Sequence, residues 1–560
     1  MTTPTTPDEL VWDPPGPGTW EWQGSHVPGI PTPIYTEVHL FTLPTAIGAM
    51  FERYGVPLRT MDEAAINGRL FSSLQPLVGK AGAAPPPAPL LWLATRLHPE
   101  LRRRNKTAAR ALRDRIWRAR TEEWRATLRP NLRRANLALQ AEDVTTLDAA
   151  GLADHVLRAH TQVVDGHLLH FDLHGDDLGP LGLYLAACRD WGIAPADAIA
   201  ALRGHSPSTM AAVDALKKVA AAYEADAPAA SKAPTTLDEL RAVGPGVTAA
   251  LDDYLEEYGW RIVTGYDLDA RTVGELPEVL VANVVSMATR EEADAGAAGD
   301  AAAATLRDRV PHGDRSRFDD ALGEARTALD LRDDNGPITV EWPMGLLRRA
   351  LLEVGRRAVA RGALTDVAHG VELTLTEVGQ LLAGEDGPGA DVIARRAAER
   401  AAARDVVPPS RLGPEVAPPD LRAFPKALAA VTDMAVTATG LMERAADATE
   451  ATEGTLPSGL GVGAERYRGR ARCASTAEEA IASLEPGDVL VVPFTTPAYN
   501  AVLAVAGGLV TEEGGVLSHA AVLARELDLP AVIGVPGALA AIADGAEVEV
   551  DPVAGTVRVA

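Results

Sequence analysis

The spacing of apolar and polar residues separates a long helical region from a shorter region of strands. From about residue 38 to residue 445, apolar residues recur mainly every three or four positions, which is typical of amphipathic helices. The segment 345–362 is a clear example, and Gly362 is well placed to end its helix. Its buried stripe should consist of Leu347, Leu351, Val354 and Ala358. We therefore expect a mainly helical domain over residues 1–445, with an extended leader at 1–32.

Four stretches interrupt the helical pattern. Residues 221–234 are rich in Ala, and residues 406–420 contain too many prolines for a helix interior. A low-complexity acidic stretch at about 290–305 predicts a mobile insertion. The small polar residues at 446–459 predict a flexible tether between two domains.

After residue 459 short β-type runs alternate with Gly and Pro. The predicted strands are 488–492, 508–510, 531–533, 547–550 and 556–559. A turn at 551–555 should join the last two strands, and one helix is predicted at about 518–527. Residues 460–560 therefore form a separate α/β unit, so that the fold class of the whole chain is α+β and multidomain.

Composition and charge limit the classes of function. The chain has 560 residues and a formal net charge of -24, which argues against nucleic acid or an anionic membrane as a partner. Cys188 and Cys473 stand far apart, so neither a zinc site nor a disulfide framework is indicated. The N-terminus lacks the pattern of a signal peptide and no long apolar run occurs, which favours a cytoplasmic protein.

The densest chemical signal lies at residues 511–534. Gly514 and Gly515 permit a tight turn, and Ser518 is a good N-cap for the helix that follows. His519 then stands in the first turn, where the positive end of the helix dipole favours a bound anion and a neutral ring. Neutral imidazole is a competent nucleophile near pH 7. Arg525, further along the same helix, could help to neutralise a phosphate.

This stretch resembles the phosphohistidine domain of the phosphoenolpyruvate-utilising enzymes. The family's core of Gly-Gly-x-x-[Ser/Thr/Cys]-His-Ala-Ala, then Ala-Arg-Glu, then Pro-Ala-Val-x-Gly, is matched at 514–521, 524–526 and 530–534. An upstream signature is matched at 486–491 and at Thr496 and Pro497. The resemblance covers residues 456–560. It implies a C-terminal β/β/α swivelling domain in which His519 accepts and passes on a phosphoryl group.

The helical region resembles, with less identity, the middle domain of the rifamycin phosphotransferase type, at 12–33, 170–208, 254–277 and 345–384. In that type an ATP-grasp domain comes first. Nothing in this chain resembles it, and no GxxxxGK[ST] loop occurs. The resemblance implies that the chain alone binds no cofactor and that ATP and Mg are bound by a separate ATP-grasp partner. No barrel for phosphoenolpyruvate follows the histidine domain, so phosphoenolpyruvate is not the expected substrate.

The same resemblance points to a cluster near the transfer site. The family's middle domain often carries Arg-Glu-x-x-Lys, and here the positions are taken by Arg332, Asp333 and Gly336. We therefore expect Arg332 and Asp333 to contact phosphate or substrate, with catalysis altered or lost because the Lys is missing.

Other candidates have a structural alternative. Arg349 and Arg356 lie seven residues apart on one helix face and either contact the phosphoryl group or are solvated or structural residues. A group at helical spacing looks at first like a metal cluster: His167, His170, Asp172, His174 and Asp176. A break expected at Gly175 and the family resemblance favour a substrate-pocket or core role, so we predict that His170 binds substrate and that no metal is held.

Three functional hypotheses remain. The first is a phosphotransferase subunit that carries a phosphoryl group on His519 from an ATP-grasp partner to a hydroxyl of a small organic substrate. The second is a catalytically degenerate small-molecule binding or regulatory protein of the same fold. The third is a dehydratase in which phosphorylation activates an alcohol for elimination.

Overall fold

The computed structural model describes residues 10–24, 27, 29–227, 233–287, 295–404, 406–443, 456–463, 465–495, 499–503, 505–515 and 518–559. The helices in these ranges are α1 (Pro33–Tyr54), α2 (Ala88–Leu97), α3 (Pro99–Asp114), α4 (Ile116–Glu123), α5 (Arg129–Ala141), α6 (Ala149–Asp190), α7 (Pro195–Ala200), α8 (Pro207–Asp226), α9 (Leu237–Arg241), α10 (Pro245–Tyr258), α11 (Pro277–Met287), α12 (Ala295–Arg309), α13 (Arg315–Gly336), α14 (Trp342–Ala360), α15 (Leu375–Ala383), α16 (Ala390–Ala403), α17 (Lys426–Glu443), α18 (Ala477–Ser483), α19 (Asn500–Leu503), α20 (His519–Glu526) and α21 (Ala538–Ala541). The strands are β1 (Trp20–Trp22), β2 (Leu58–Ile66), β3 (Arg69–Pro76), β4 (Arg411–Leu412), β5 (Leu460–Val462), β6 (Tyr467–Cys473), β7 (Val489–Val492), β8 (Gly508–Thr511), β9 (Ala531–Ile533), β10 (Glu547–Asp551) and β11 (Thr556–Val559).

The chain divides into two compact units. Unit 1 takes the chain up to Gly179, together with Tyr266–Ala270 and Asn335–Ala435. Unit 2 takes Pro180–Gly265, Arg271–Asp334 and the chain from Val436 onward. The α+β, multidomain class expected from the sequence is confirmed. The predicted tether at 446–459 lies mostly outside the described residues.

The core of unit 1 contains helix α14, as the apolar spacing predicts. Its four stripe residues are fully buried: Leu347, Leu351, Val354 and Ala358. The helix ends at Ala360, and Gly362 follows with a positive φ of 73° that a residue with a side chain rarely adopts. The Pro-rich stretch after residue 405 contains no helix up to residue 420, as expected.

Unit 1 also holds a four-stranded sheet that the helical interpretation of residues 38–445 missed. Its strand order is β2-β3-β1-β4, and β2 pairs antiparallel with β3. The two-residue turn between β2 and β3 is Asn67-Gly68, with φ values of 49° and 81°. Positive φ at both positions defines the tight turn that Asn-Gly favours, so the sequence did contain a signal for this hairpin.

Helix α6 runs without interruption from Ala149 to Asp190, so the break expected at Gly175 is wrong. Gly175 is required for packing instead, because a Cβ atom there would collide with the ring of Tyr54. The helix therefore keeps its apolar and imidazole side chains on regular faces over 42 residues.

The stretch expected to be a mobile insertion is helical from Ala295, where α12 begins. Residues 288–294 lie outside the described part. Leu306 anchors α12 in the core, and Arg326 of α13 holds its first turns by donating to the carbonyl oxygen of Gly299 and, at 2.8 Å, to Asp300. The high helix propensity of Ala explains why a low-complexity sequence is ordered here.

Unit 2 contains a seven-stranded sheet in the order β11-β10-β6-β7-β8-β9-β5. Strands β6, β7, β8 and β9 are parallel neighbours, while β10, β11 and β5 pair antiparallel. All five predicted strands and the predicted helix are present within one or two residues, and the turn at 551–555 joins β10 to β11. Strands β5 and β6 were not predicted.

Both faces of this sheet are covered. Leu490 and Val492 of β7 belong to a cluster that includes α20 and residues of α6, α7 and α13 in the same unit. Val489 and Val491 point to a second cluster with β10 and β11. Continuous apolar strands are expected where a parallel sheet is buried on both sides. No helix among the described residues has the length and hydropathy of a membrane span.

Candidate functional site in unit 2

The candidate site lies beyond the carboxyl ends of two neighbouring parallel strands. The chain leaves β7 at Val492 and reaches Thr495, and it leaves β8 at Thr511 and reaches His519. Because β7 and β8 are parallel and adjacent, both loops emerge at the same edge of the sheet, which is where ligands bind in open α/β sheets. The Nδ1 atom of His519 is 2.9 Å from Oγ1 of Thr495, within hydrogen-bonding distance.

The loop before α20 fixes His519 at the start of the helix. Ser518 is the N-cap, and its hydroxyl accepts a hydrogen bond from the backbone N–H of Ala521 at 3.3 Å. Gly514 has a φ of 120°, and a Cβ there would lie 2.9 Å from Oγ of Ser518 and 3.1 Å from Ile533. Gly514 therefore serves the close approach that positions Ser518, and His519 stands in the first turn at the positive end of the dipole.

The surroundings keep the ring of His519 neutral. Burial lowers its pKa from 6.5 to about 4, the guanidinium of Arg332 lowers the pKa further, and the carboxylate of Asp333 acts in the opposite direction. At pH 7 the ring is unprotonated, so one nitrogen carries a lone pair. The structure thus brings Arg332 and Asp333 of α13 into electrostatic contact with His519 inside unit 2.

Arg332 and Asp333 are held by the start of helix α8. Arg332 pairs with Asp333 at 2.6 Å, and both side chains are largely buried. The carboxylate of Asp333 also accepts a hydrogen bond from Thr209, which in turn donates to Ser206 at 2.8 Å. A charged pair fixed in this way has little freedom to reorganise, which is the property expected of groups that stabilise a transferring anion.

Arg525 lies in the last turn of α20. Its guanidinium donates to Glu526 at 2.8 Å and 3.0 Å, and Glu526 also accepts from the backbone N–H of Gly204 at 2.9 Å. Six residues separate Arg525 from His519, which places the two on different sides of the helix. A contact between Arg525 and a phosphoryl group stays a prediction.

The remaining predicted site residues lie in unit 1. Arg349 donates to three backbone carbonyls, of Leu139, Gln140 and Glu142. Arg356 pairs with Glu353 at 2.6 Å and 2.8 Å. His170 is half-buried on α6 beside the ring of His174. These contacts are those of structural arginines and of a partly accessible histidine, respectively.

Sequence reasoning missed Thr495. It stands directly before the quoted Thr496-Pro497 signature, which lies outside the described residues, and its hydroxyl is the printed partner of the reactive ring. A hydroxyl within the loop after a predicted parallel strand was the available signal. Among the described residues no group of three or more His, Cys, Asp or Glu side chains is arranged to hold a metal ion.

The fold and site define a phosphohistidine-type domain of the phosphotransferases. Residues 484–555 match the mobile domain of the PEP-utilising enzymes, and residues 183–333 match the fourth domain of rifampicin phosphotransferase. The chain belongs to the phosphoenolpyruvate-utilising enzyme family, with a helical region of the rifampicin phosphotransferase type.

Three curated relatives illustrate the likeness. A rifampicin phosphotransferase of a Streptomyces species is 31% identical over 340 residues, which are 58% of this chain and 36% of the relative. The chondramide synthase of Chondromyces crocatus is 31% identical over 324 residues, 56% of this chain and 8% of the relative. The phosphoenolpyruvate synthase of Aeropyrum pernix is 45% identical over 89 residues, 16% of this chain and 11% of the relative. The chain thus spans about a third or less of the length of each.

Proposed function

We propose that this chain is a phosphotransferase subunit in which His519 carries a phosphoryl group from ATP to a hydroxyl of a small organic substrate. The observation that carries the proposal is the pairing of a neutral His519 ring with Thr495 at 2.9 Å. With a proton on Nδ1 donated to Thr495, the lone pair resides on Nε2. A single hydrogen bond thereby selects the nucleophilic nitrogen.

Charging of His519 forms an N–P bond from Nε2 and breaks a P–O bond of the nucleotide. In the proposed reaction the β-phosphoryl group of ATP moves to His519, and AMP and inorganic phosphate are released. The positive charge left on the phosphorylated ring is offset by the phosphoryl oxygens. Arg332 and the positive end of α20 supply the electrostatic stabilisation that a transferring phosphoryl group requires.

The groups around His519 suit one phosphoryl group and not a whole nucleotide with its metal ion. They provide one guanidinium, one carboxylate and hydroxyls, whereas a triphosphate is usually held by a glycine-rich loop, a lysine and Mg²⁺. We therefore propose that ATP and Mg²⁺ are bound by a separate ATP-grasp protein, which phosphorylates His519.

In the second half-reaction the acceptor hydroxyl attacks phosphorus, the N–P bond breaks and His519 regains its neutral form. A base must take the proton of the hydroxyl. The acceptor is proposed to bind in the helical part of the chain, where the likeness to rifampicin phosphotransferase lies. Rifampicin is therefore the first acceptor to test.

The test is to mix the purified chain with a candidate ATP-grasp protein and ATP labelled in the β-phosphate. Wild type should take up one acid-labile, base-stable label per chain, and His519→Ala should take up none. Label in the wild type without the second protein would refute the need for a partner. No label from any ATP-grasp candidate, with small molecules still bound, would favour the degenerate binding protein.

A further inference from the structure

Two imidazole rings lie side by side on helix α6 in unit 1. The ring centroids of His170 and His174 are 4.7 Å apart, with the planes at 72°. Phe171 packs against both, at 5.1 Å and 5.9 Å. The side chain of His174 is 21% exposed, so a small molecule can reach it.

Behind these rings lies a buried and hydrogen-bonded set of polar groups. Asp177 places Oδ2 at 3.4 Å from Nδ1 of His174 and accepts a hydrogen bond from the amide of Asn335 at 3.2 Å. The same amide donates to the carbonyl oxygen of His170 at 3.1 Å. Thr339 donates to the carbonyl oxygen of Asn335 at 2.5 Å. Asp177, Asn335 and Thr339 are each at most 1% exposed.

The backbone opposite α6 has an unusual conformation at this point. Residues Pro337–Glu341 form a π-helical turn between α13 and α14, a distortion that is frequent at functional sites. Gly166 of α6 allows the carbonyl of Thr339 to approach closely. Gly336, at the start of the turn, leaves open space, since an added Cβ would have its nearest neighbours at 3.9 Å, in Glu341, and at 4.0 Å, in His170.

We propose that this acceptor cluster, consisting of His170, His174, Asp177, Asn335 and Thr339, binds the acceptor alcohol and that His174 is its general base. The inference rests on the proposed function of His519. Asp177 holds Nδ1 of His174 and thereby leaves Nε2 as the proton acceptor, which is the division of roles in a carboxylate–imidazole pair. Asn335 fixes Asp177, and the space beside Gly336 admits the alcohol.

The step balances as follows. Nε2 of His174 takes the proton of the alcohol, the alcohol oxygen forms a bond to phosphorus, and the N–P bond to His519 breaks. His519 becomes neutral, His174 becomes a cation facing Asp177, and it later releases its proton to water. A general base of this kind contributes about 10²- to 10⁴-fold to the rate.

The experiment separates discharge from charging. The chain is phosphorylated with potassium phosphoramidate, which needs no ATP-grasp protein, and the loss of label from His519 is followed with and without 1 M glycerol as the probe alcohol. We expect glycerol-dependent loss with formation of glycerol phosphate in the wild type. His174→Gln and Asp177→Asn should slow this loss by about 100-fold. Neither substitution should change the rate of charging, whereas a general loss of structure would change both rates.

The matched control is His312→Gln, which alters an exposed histidine in a short 3₁₀ turn of unit 2. It should discharge like the wild type. Thermal melts identify any variant that fails to fold, and the partly exposed His174 gives the decisive substitution if Asp177→Asn is unstable. Equal discharge in the wild type and His174→Gln, or no glycerol-dependent discharge in the wild type, overturns the inference. No label on His519 in the wild type refutes the proposed function itself.

Discussion

His519 and His174 are both histidines on helices, but they are positioned in opposite ways. His519 opens a helix of eight residues and receives its setting from a loop of Gly and Ser just before it. His174 stands in the middle of a helix of 42 residues, and its carboxylate partner Asp177 is fixed by Asn335, 158 positions further along the chain. The first setting is local, and the second depends on tertiary contacts.

The difference teaches where each kind of site can be changed. A reactive group held by a local loop is sensitive to single substitutions in that loop, while its helix packs on independently. A group held by long-range contacts depends on several elements at once, since a buried polar set is stable only when every member is satisfied. The predictions below alter the His519 setting one contact at a time, from the largest expected effect to the smallest.

Gly514→Ala should have the largest effect. The new methyl group would lie 2.9 Å from the capping hydroxyl of Ser518, at a φ of 120° that disfavours side chains. We expect about 3 kcal/mol of lost stability and at least a 100-fold loss of charging. Chemical denaturation and phosphoramidate charging of the purified variant measure the two effects.

Gly537→Ala is the control for that substitution. Gly537 also has a positive φ, of 75°, but a Cβ there meets nothing within 4 Å. Its cost should be about 1 kcal/mol from the backbone alone, with charging unchanged. If both variants charged equally well, the contact between Gly514 and Ser518 would not position His519.

Thr495→Val should come next. It removes the hydrogen bond that orients the ring of His519 while keeping the shape of the side chain. We expect charging to fall by about 30-fold, equivalent to about 2 kcal/mol. Thr495→Ser keeps the hydroxyl and should retain most of the rate. Equal losses in the two variants would point to packing and not to the hydrogen bond.

Arg332→Gln should reduce charging by about 10-fold, because a fixed cation beside the transferring phosphoryl group is lost. Its removal should also raise the pKa of His519, since the guanidinium lowers that pKa in the folded protein. The acid limb of the charging rate should therefore move to higher pH. Arg317→Gln, on the exposed side of the same helix, is the control and should leave the profile unchanged.

The smallest effect concerns stability. His519 has a folded-state pKa of about 4 against an ordinary value of 6.5, so in the window between them the unfolded chain binds more protons than the folded one. Its contribution to stability is present above pH 6.5 and is lost as pH falls toward 4. Between pH 7 and pH 5.5 we expect about 1 kcal/mol of loss from this group. Denaturation of His519→Gln at both pH values should show a slope smaller by that amount.

The sequence predicted the unit 2 sheet better than unit 1. Continuous Val and Leu runs bounded by Gly and Pro identified β7, β8 and β9, whereas the alternating polar residues of β2 and β3 were read as helix although Asn67-Gly68 marked their turn. Gly175 was taken as a break because the Tyr54 ring that it accommodates is 121 residues away in the chain. Contacts at such separations are absent from local spacing.

The candidate site shows the same limit. The helix-start position of His519 and its Ser518 cap followed from residues within one turn. The effect of Arg332 on the ring was expected only through a family likeness, and Thr495 was missed, because both stand on other elements that the parallel sheet and α13 bring to His519. The acceptor cluster could not be assembled from spacing, since the π-helical turn that opens it cannot be predicted from residue type.

The most direct test of the central claim is to locate the phosphoryl group on the charged chain. Phosphorus NMR distinguishes the two ring nitrogens of histidine, and mass spectrometry under alkaline conditions identifies the residue. The account predicts one phosphoryl group per chain, on Nε2 of His519, with Nδ1 protonated toward Thr495. A phosphoryl group on Nδ1 of His519, or on His170 or His174 of the acceptor cluster, would contradict it.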